Sequence, residues 1–191
     1  MNVKLIPISS LNVNPLNSDE YINALNDHEC NKYLEIRFHP QTYDTVKEYI
    51  ENLPDNVRFF KIVADIKKTS LDNDGKTKYL PGDRWVGNIK LGPINMWHKF
   101  AEIGILIFPT YWHKGYGSEA IKEVSNYAFN VLHLHKCFAG CIEDNINSIR
   151  AFKNAGFEEE YRIRSQYYIN GSGHKDDVVL SKFNVNEATW R

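Results

Sequence analysis

The stretch GILIFPTYWHKGYGSEAI, residues 104–121, changes its hydrophobic period half-way along. Before Pro109 the residues after Gly104 are all apolar, as in a strand covered on both faces. From Gly117 onward Ala120, Ile121, Val124, Tyr127, Ala128, Val131 and Leu132 recur at three- and four-residue spacing, the mark of a long amphipathic helix. Gly115 and Gly117 stand at the junction. Such a loop has two uses. It can be a tight turn, or it can cradle an anion, because the first N–H groups of a helix lack intrahelical acceptors and carry the positive end of its dipole. Glycines there remove side chains that would keep the anion away, and Lys114 and His113 add charge nearby. Two familiar phosphate loops are excluded. A P-loop needs Gly-Lys-Ser/Thr, which is absent, and a dinucleotide fingerprint needs a third glycine where Ala120 stands off register.

Working outward, VKLIPI (residues 3–8) reads as a first strand, and NSDEYINALNDHECNKYL (17–34) as a helix capped by Ser18 or Asn17. PQTYDTVKEYIENL (40–53) is a second helix, with Val46, Tyr49, Ile50 and Leu53 on one face and Pro54 ending it. Strands are expected at VRFFKIVADI (57–66), RWVGNIKLGPI (84–94) and KFAEIGILIF (99–108). The polar segment KKTSLDNDGKTKYLPGD (67–83), with an Asp74-Gly75 turn, reads as an elongated hairpin loop. CFAGCIED (137–144) is a short strand, NSIRAFKNAGF (147–157) a short helix ending at Gly156, and EEEYRIRSQYYING (158–171) and DDVVLSKF (176–183) the last two strands. The expected fold is therefore α/β, a mixed, mostly antiparallel sheet of about seven strands flanked by about four helices. Residues 1–191 read as one domain.

A formal net charge of −1 gives no basic field to gather nucleic acid, and no apolar run is long enough to span a bilayer. The N-terminus MNVKLIPISSLNVNP lacks the charged and apolar blocks of a secretory signal, so a cytoplasmic location is expected. Cys30, Cys137 and Cys141 form no metal-ligand spacing and read as small buried hydrophobes, and no metal is expected.

The run GILIFPTYWHKGYGSEAI followed by EDNINSIRAFKNAGF (143–157) resembles the acyl-CoA-binding core of the GCN5-related N-acetyltransferases (GNAT), in the flavour of the RimJ/RimL-type branch. Trp112 stands where that family's loop most often has Gln or Arg. The resemblance implies acetyl-CoA as cosubstrate. Its pantetheine arm would lie along Ile105, Leu106 and Ile107, its pyrophosphate on the N–H groups of His113, Lys114, Gly115, Tyr116, Gly117 and Ser118, and Asn145 and Ser148 would flank the thioester.

Acetyl transfer needs a neutral amine, and an alkyl amine with a pKa of about 10.4 is almost wholly protonated at pH 7. Glu102 is the first candidate base, the alternative being a solvated edge residue. The family's usual tyrosine acid falls at Phe152, which cannot donate a proton. The resemblance implies Ser148 as partner of the leaving sulfur, with a helix-capping serine as the alternative. Tyr167 occupies the place of the branch's catalytic glutamate, where it could order water or simply pack. The expected acceptor is a primary amine of a small molecule, with a nucleotide-linked amino sugar as first choice, walled by some of Phe38, Trp85, Trp97, Tyr167 and Tyr168. Protein N-terminal acetylation and a non-catalytic acyl-CoA-binding module stand as alternatives. The expected partners are acetyl-CoA and the amine, and a homodimer is left open.

Overall fold

A strand apolar on both faces must be covered on both, and that requirement organises this molecule. A computed structural model describes residues 3–9, 19–65, 68–71, 77–80 and 82–185. In it a seven-stranded sheet runs in the order β1-β2-β5-β6-β7-β9-β8. The strands are β1 (Val3–Pro7), β2 (Arg58–Asp65), β5 (Asp83–Asn95), β6 (Phe100–Ile107), β7 (Lys136–Ile142), β8 (Glu158–Ile169) and β9 (Gly173–Phe183). Every neighbouring pair is antiparallel except β6 and β7. In keeping with the hairpin read for the polar segment after β2, β3 (Lys68–Leu71) and β4 (Thr77–Leu80) pair antiparallel as a separate two-stranded ribbon. The expected Asp74-Gly75 turn and the Ser18 or Asn17 cap lie outside the described residues.

One face of the sheet carries α4 (Tyr116–Asn130) and α5 (Ile146–Asn154). The sequence-predicted stripe on α4 buries Ala120, Ile121, Val124 and Ala128 completely against Val86, Ile89, Ala101 and Ile103. The other face carries α1 (Asp19–Asn26), the single-turn α2 (His28–Asn31), a 3-10 turn (Glu35–Phe38) and α3 (Tyr43–Glu51). Their core gathers Tyr21, Leu25, Val46 and Ile50 around Phe108, Phe59 and Trp85. The helix expected over residues 17–34 is thus broken, because Asp27 stops α1 and caps α2 by accepting the Cys30 N–H. β6 sits between the two cores: Ala101 and Ile103 face α4, while Leu106 packs into the second. Among the described residues, no helix is long and apolar enough to cross a membrane.

The feature that positions the site is a parting of β6 from β7. The two pair only over Phe100–Glu102 and Lys136–Phe138. Beyond that point β7 continues to pair with β9 through Ile142, and β6 continues to pair with β5 through Ile107. A wedge opens between them in the middle of the sheet.

Candidate active site

Three groups of residues meet at this wedge. The first is the end of β6 and the loop that follows. Phe108 gives its N–H to Val86 on β5, whereas the Lys99 carbonyl accepts from His135 and Lys136 at the start of β7. Backbone groups alternate along a strand, so Ile103, Ile105 and Ile107 turn their N–H and C=O toward the wedge, and Leu106 turns to β5. The Trp112 indole N–H caps the Ile107 carbonyl at 2.6 Å and ties the loop to the strand end. Here the tryptophan in the usual Gln or Arg position has a structural task.

The start of α4 is uncovered. Gly115 is its N-cap, with no side-chain cap, and the first intrahelical bond runs from Glu119 N–H to the Gly115 carbonyl. Tyr116, Gly117 and Ser118 N–H groups therefore lack intrahelical acceptors. The two glycines differ in their reasons. Gly115 has φ 81°, a conformation that glycine adopts freely. At Gly117 the protein makes no such demand: an added Cβ would meet only Ile107 Cγ1 at 3.6 Å and Ala151 Cβ at 3.7 Å, ordinary contacts. Packing within the protein therefore does not account for the glycine at 117. Lys114 folds back to the Thr110 carbonyl at 2.8 Å. The Tyr116 ring is buried in the core, so only its N–H is on offer, and His113 sits in the loop at φ 59°.

The second group lies on α5. Asn145 caps this helix by accepting the Ser148 N–H at 3.2 Å. Ser148 is thereby relieved of the capping role considered for it, and its hydroxyl sits 3.3 Å from the Cys141 sulfur. Burial pushes the Cys141 thiol up to about 11, with the Ser148 hydrogen bond opposing. Cys30, Cys137 and Cys141 are all buried free thiols, as read from the sequence. Phe152 is packed edge-on to Phe157 in the core.

The third group lines the sheet face opposite α4. Glu102 is not an edge residue. It lies on a central strand, half-buried between the buried Ala101 and Ile103. Desolvation raises its pKa, Lys90 opposes this and Asp177 adds to it. Tyr167 on β8 is half-buried, and its pKa is raised by desolvation first, then by Asp177, Glu102, Glu35 and Cys141. The α2 and 3-10 segment bridges across this face: Tyr33 donates to the Asp144 carbonyl at 3.1 Å and Arg37 to the Tyr168 carbonyl at 3.1 Å. Glu35 hangs between those two anchors. Sequence reasoning did not single out Glu35 or Asp177, because neither sits in a motif.

Two expected walls are elsewhere. Trp85 belongs to the second core, bonded to the Gly87 carbonyl and Asn88, with the Lys61 ammonium 4.0 Å from its ring centre. Trp97, 94% exposed, lies in the β5–β6 turn. Phe38 is exposed under the Arg37 guanidinium.

This geometry can be set beside known proteins. A family model described as "Acetyltransferase (GNAT) domain" matches residues 11–158. The chain belongs to the GNAT acetyltransferases. It is an acetyl-CoA-dependent N-acetyltransferase, and the wedge with the bare start of α4 suits that cosubstrate: the open edge of β6 would take the pantetheine arm, and the N–H groups of residues 116–118 the pyrophosphate. When bound, acetyl-CoA supplies the acetyl group as a thioester. Among relatives, this GNAT chain is 26% identical over 132 residues to a spermidine N(1)-acetyltransferase of Vibrio cholerae, covering 69% of this chain and 68% of that one. It is 34% identical over 85 residues to the Escherichia coli K12 spermidine N(1)-acetyltransferase, a match spanning 44% of this chain and 46% of that one. The crystal structure of the Vibrio cholerae spermidine N-acetyltransferase in complex with CoA and spermine shares its fold, with a TM-score of 0.71 at 21% identity over 95% of both chains.

Proposed function

We propose that this GNAT enzyme, read as a RimJ/RimL-type member, transfers acetyl from acetyl-CoA to a primary amine of a small cationic molecule, by direct attack of the amine on the thioester. One observation carries the reading. Glu102, Glu35 and Asp177 each act electrostatically on Tyr167, and none of the three takes part in an ion pair among the described residues. Glu35 is exposed and Lys90 partly offsets Glu102, but the desolvated Glu102 and Asp177 carboxylates still favour a cation as partner. A di- or polyamine meets that demand. A nucleotide-linked amino sugar brings the negative charge of its diphosphate to the same place and is the less favoured acceptor. The names of the Vibrio cholerae and Escherichia coli relatives support the same class.

In this reading Glu102 removes the proton that keeps the amine from attacking. Desolvation holds its carboxyl above the ordinary carboxylate range, the direction that makes a carboxylate a better base. Ser148, freed from capping by Asn145, supplies a proton to the departing sulfur. Tyr167 donates a hydrogen bond in the acceptor cleft. The test is thiol release from acetyl-CoA with spermidine, a plain alkyl monoamine, a nucleotide-linked amino sugar and a ribosomal-protein N-terminal peptide offered in parallel. Fastest turnover with spermidine is expected. Turnover confined to the peptide or the sugar nucleotide would overturn the acceptor class.

A further inference from the structure

Asp177 has the wrong surroundings for an ordinary buried aspartate. Only 6% of it is exposed, and although the carboxylate takes a backbone hydrogen bond from Cys141, its Oδ1 is buried without a partner. Such an orphan is costly, and native proteins seldom keep one without a use. Its position indicates the use. In β9 it pairs with Ile142, and its carboxylate leans across β7 above Gly140: a Cβ built there would lie 2.8 and 2.9 Å from its two oxygens. Gly140 itself is exposed, although Ala139 and Cys141 on either side are buried. The sheet floor is bare at this one residue. β7 has already lost β6 as a neighbour there, and the next charged group across the wedge, on the same face, is Glu102.

We infer that Asp177 is a further catalytic residue of the acceptor site, forming with Glu102 a two-carboxylate seat over the Gly140 backbone that holds the incoming ammonium and accepts its proton. The inference rests on the small-amine reading above. Around the seat stand Lys90 on β5, the Cys141 thiol on β7, Tyr167 on β8 and Glu35 with Arg37 on the 3-10 turn. At the far end Lys175 is already paired with Asp144 at 2.9 Å, and Glu143 with Arg162 at 3.8 Å.

The chemistry balances. The ammonium gives one proton to the carboxylate pair, which goes from two negative charges to one. The freed nitrogen lone pair forms the bond to the acetyl carbon as the carbon–sulfur bond breaks. The second nitrogen proton ends on sulfur, and the proton held by the pair leaves to solvent with the amide. Two neighbouring carboxylates hold their first proton more tightly than either alone, and the pair titrates as a unit.

The experiment is the pH profile of kcat/KM for spermidine with wild type, Asp177→Asn and Gly140→Ala, together with acetyl-CoA affinity by calorimetry. Asp177→Asn is expected to lower kcat/KM roughly 100-fold and to move the acid limb to lower pH, because Glu102 loses its like-charged neighbour. Its acetyl-CoA affinity stays within twofold of wild type. Gly140→Ala, which displaces the carboxylate without removing it, raises KM for spermidine. A wild type that acetylates spermidine beside an Asp177→Asn enzyme with an unmoved acid limb would overturn this inference alone. So would a loss of activity that only tracks lost acetyl-CoA binding or thermal stability. A wild type that binds acetyl-CoA and acetylates no small amine would overturn the functional reading, and this inference with it.

Discussion

The two halves of the proposed active site are encoded differently. The cofactor half is nearly contiguous: Ile103 to Ser118 supplies the open strand edge, the Trp112 clasp and the bare helix start, and Asn145 and Ser148 complete it from one further turn of helix. The acceptor half draws Glu35, Glu102, Gly140, Tyr167 and Asp177 from a 3-10 turn and four strands. Backbone groups do most of the work in the first, and they are available wherever a strand ends and a helix begins. Charged side chains do the work in the second, and they need the whole fold to bring them together. The cofactor half should therefore break through shape, and the acceptor half through charge.

The largest effect belongs to the acceptor half. Glu102→Gln keeps the shape and removes the base, and kcat/KM for an alkyl amine is expected to fall by about 100-fold or more, about 2.7 kcal/mol. Acetyl-CoA affinity by calorimetry should hardly change. Equal losses in both would mean that Glu102 holds the wedge together instead of acting on the amine.

Gly117→Trp probes the other half. A Cβ at 117 already touches Ile107 and Ala151, so an indole there would project past them over the helix start. Acetyl-CoA affinity should fall at least tenfold, about 1.4 kcal/mol, in a variant whose circular dichroism and melting match wild type. Unchanged affinity would remove the pyrophosphate from this loop and leave the glycine at 117 unexplained.

The same division decides what was legible in the sequence. The strand, glycine loop and α4 announce themselves by a change of period within one short stretch, and the seven main strands follow from runs of β-branched and aromatic residues. The polar segment 67–83 was legible as a hairpin, but its polar composition did not announce the β3 and β4 strands within it. Aromatic content pointed to Trp85 and Trp97 as cleft walls, but an aromatic ring is drawn to a core as readily as to a ligand, and Trp97 serves in a turn. Asp177 was in plain view within DDVVLSKF. Alternation places it on the face opposite Val178 and Leu180, but only the strand order β6-β7-β9 reveals that this face borders Glu102. Gly140 was equally silent between Cys137 and Cys141, whose shared buried face was readable where the bare one was not.

The smallest expected effect is one of stability, and it runs opposite to activity. Desolvation raises the folded-state pKa of both Asp177 and Glu102. A carboxyl whose folded pKa exceeds its unfolded value binds more protons when folded, so its charge burdens the native state above that folded pKa and not below the ordinary carboxylate range. Wild-type stability should therefore decline as pH rises out of that range toward neutrality. Asp177→Asn removes the buried charge and relieves Glu102 as well. It should melt above wild type at pH 8 by about 1 kcal/mol, or about 2–4 °C, with the gap closing at pH 4. Calorimetric melts at the two values decide it. A variant that is less stable than wild type at pH 8 would mean that the backbone hydrogen bond from Cys141 outweighs the cost of burying the Asp177 carboxylate. A more stable but slower variant would mean that the acceptor half keeps a charge at the fold's expense because the incoming amine completes it.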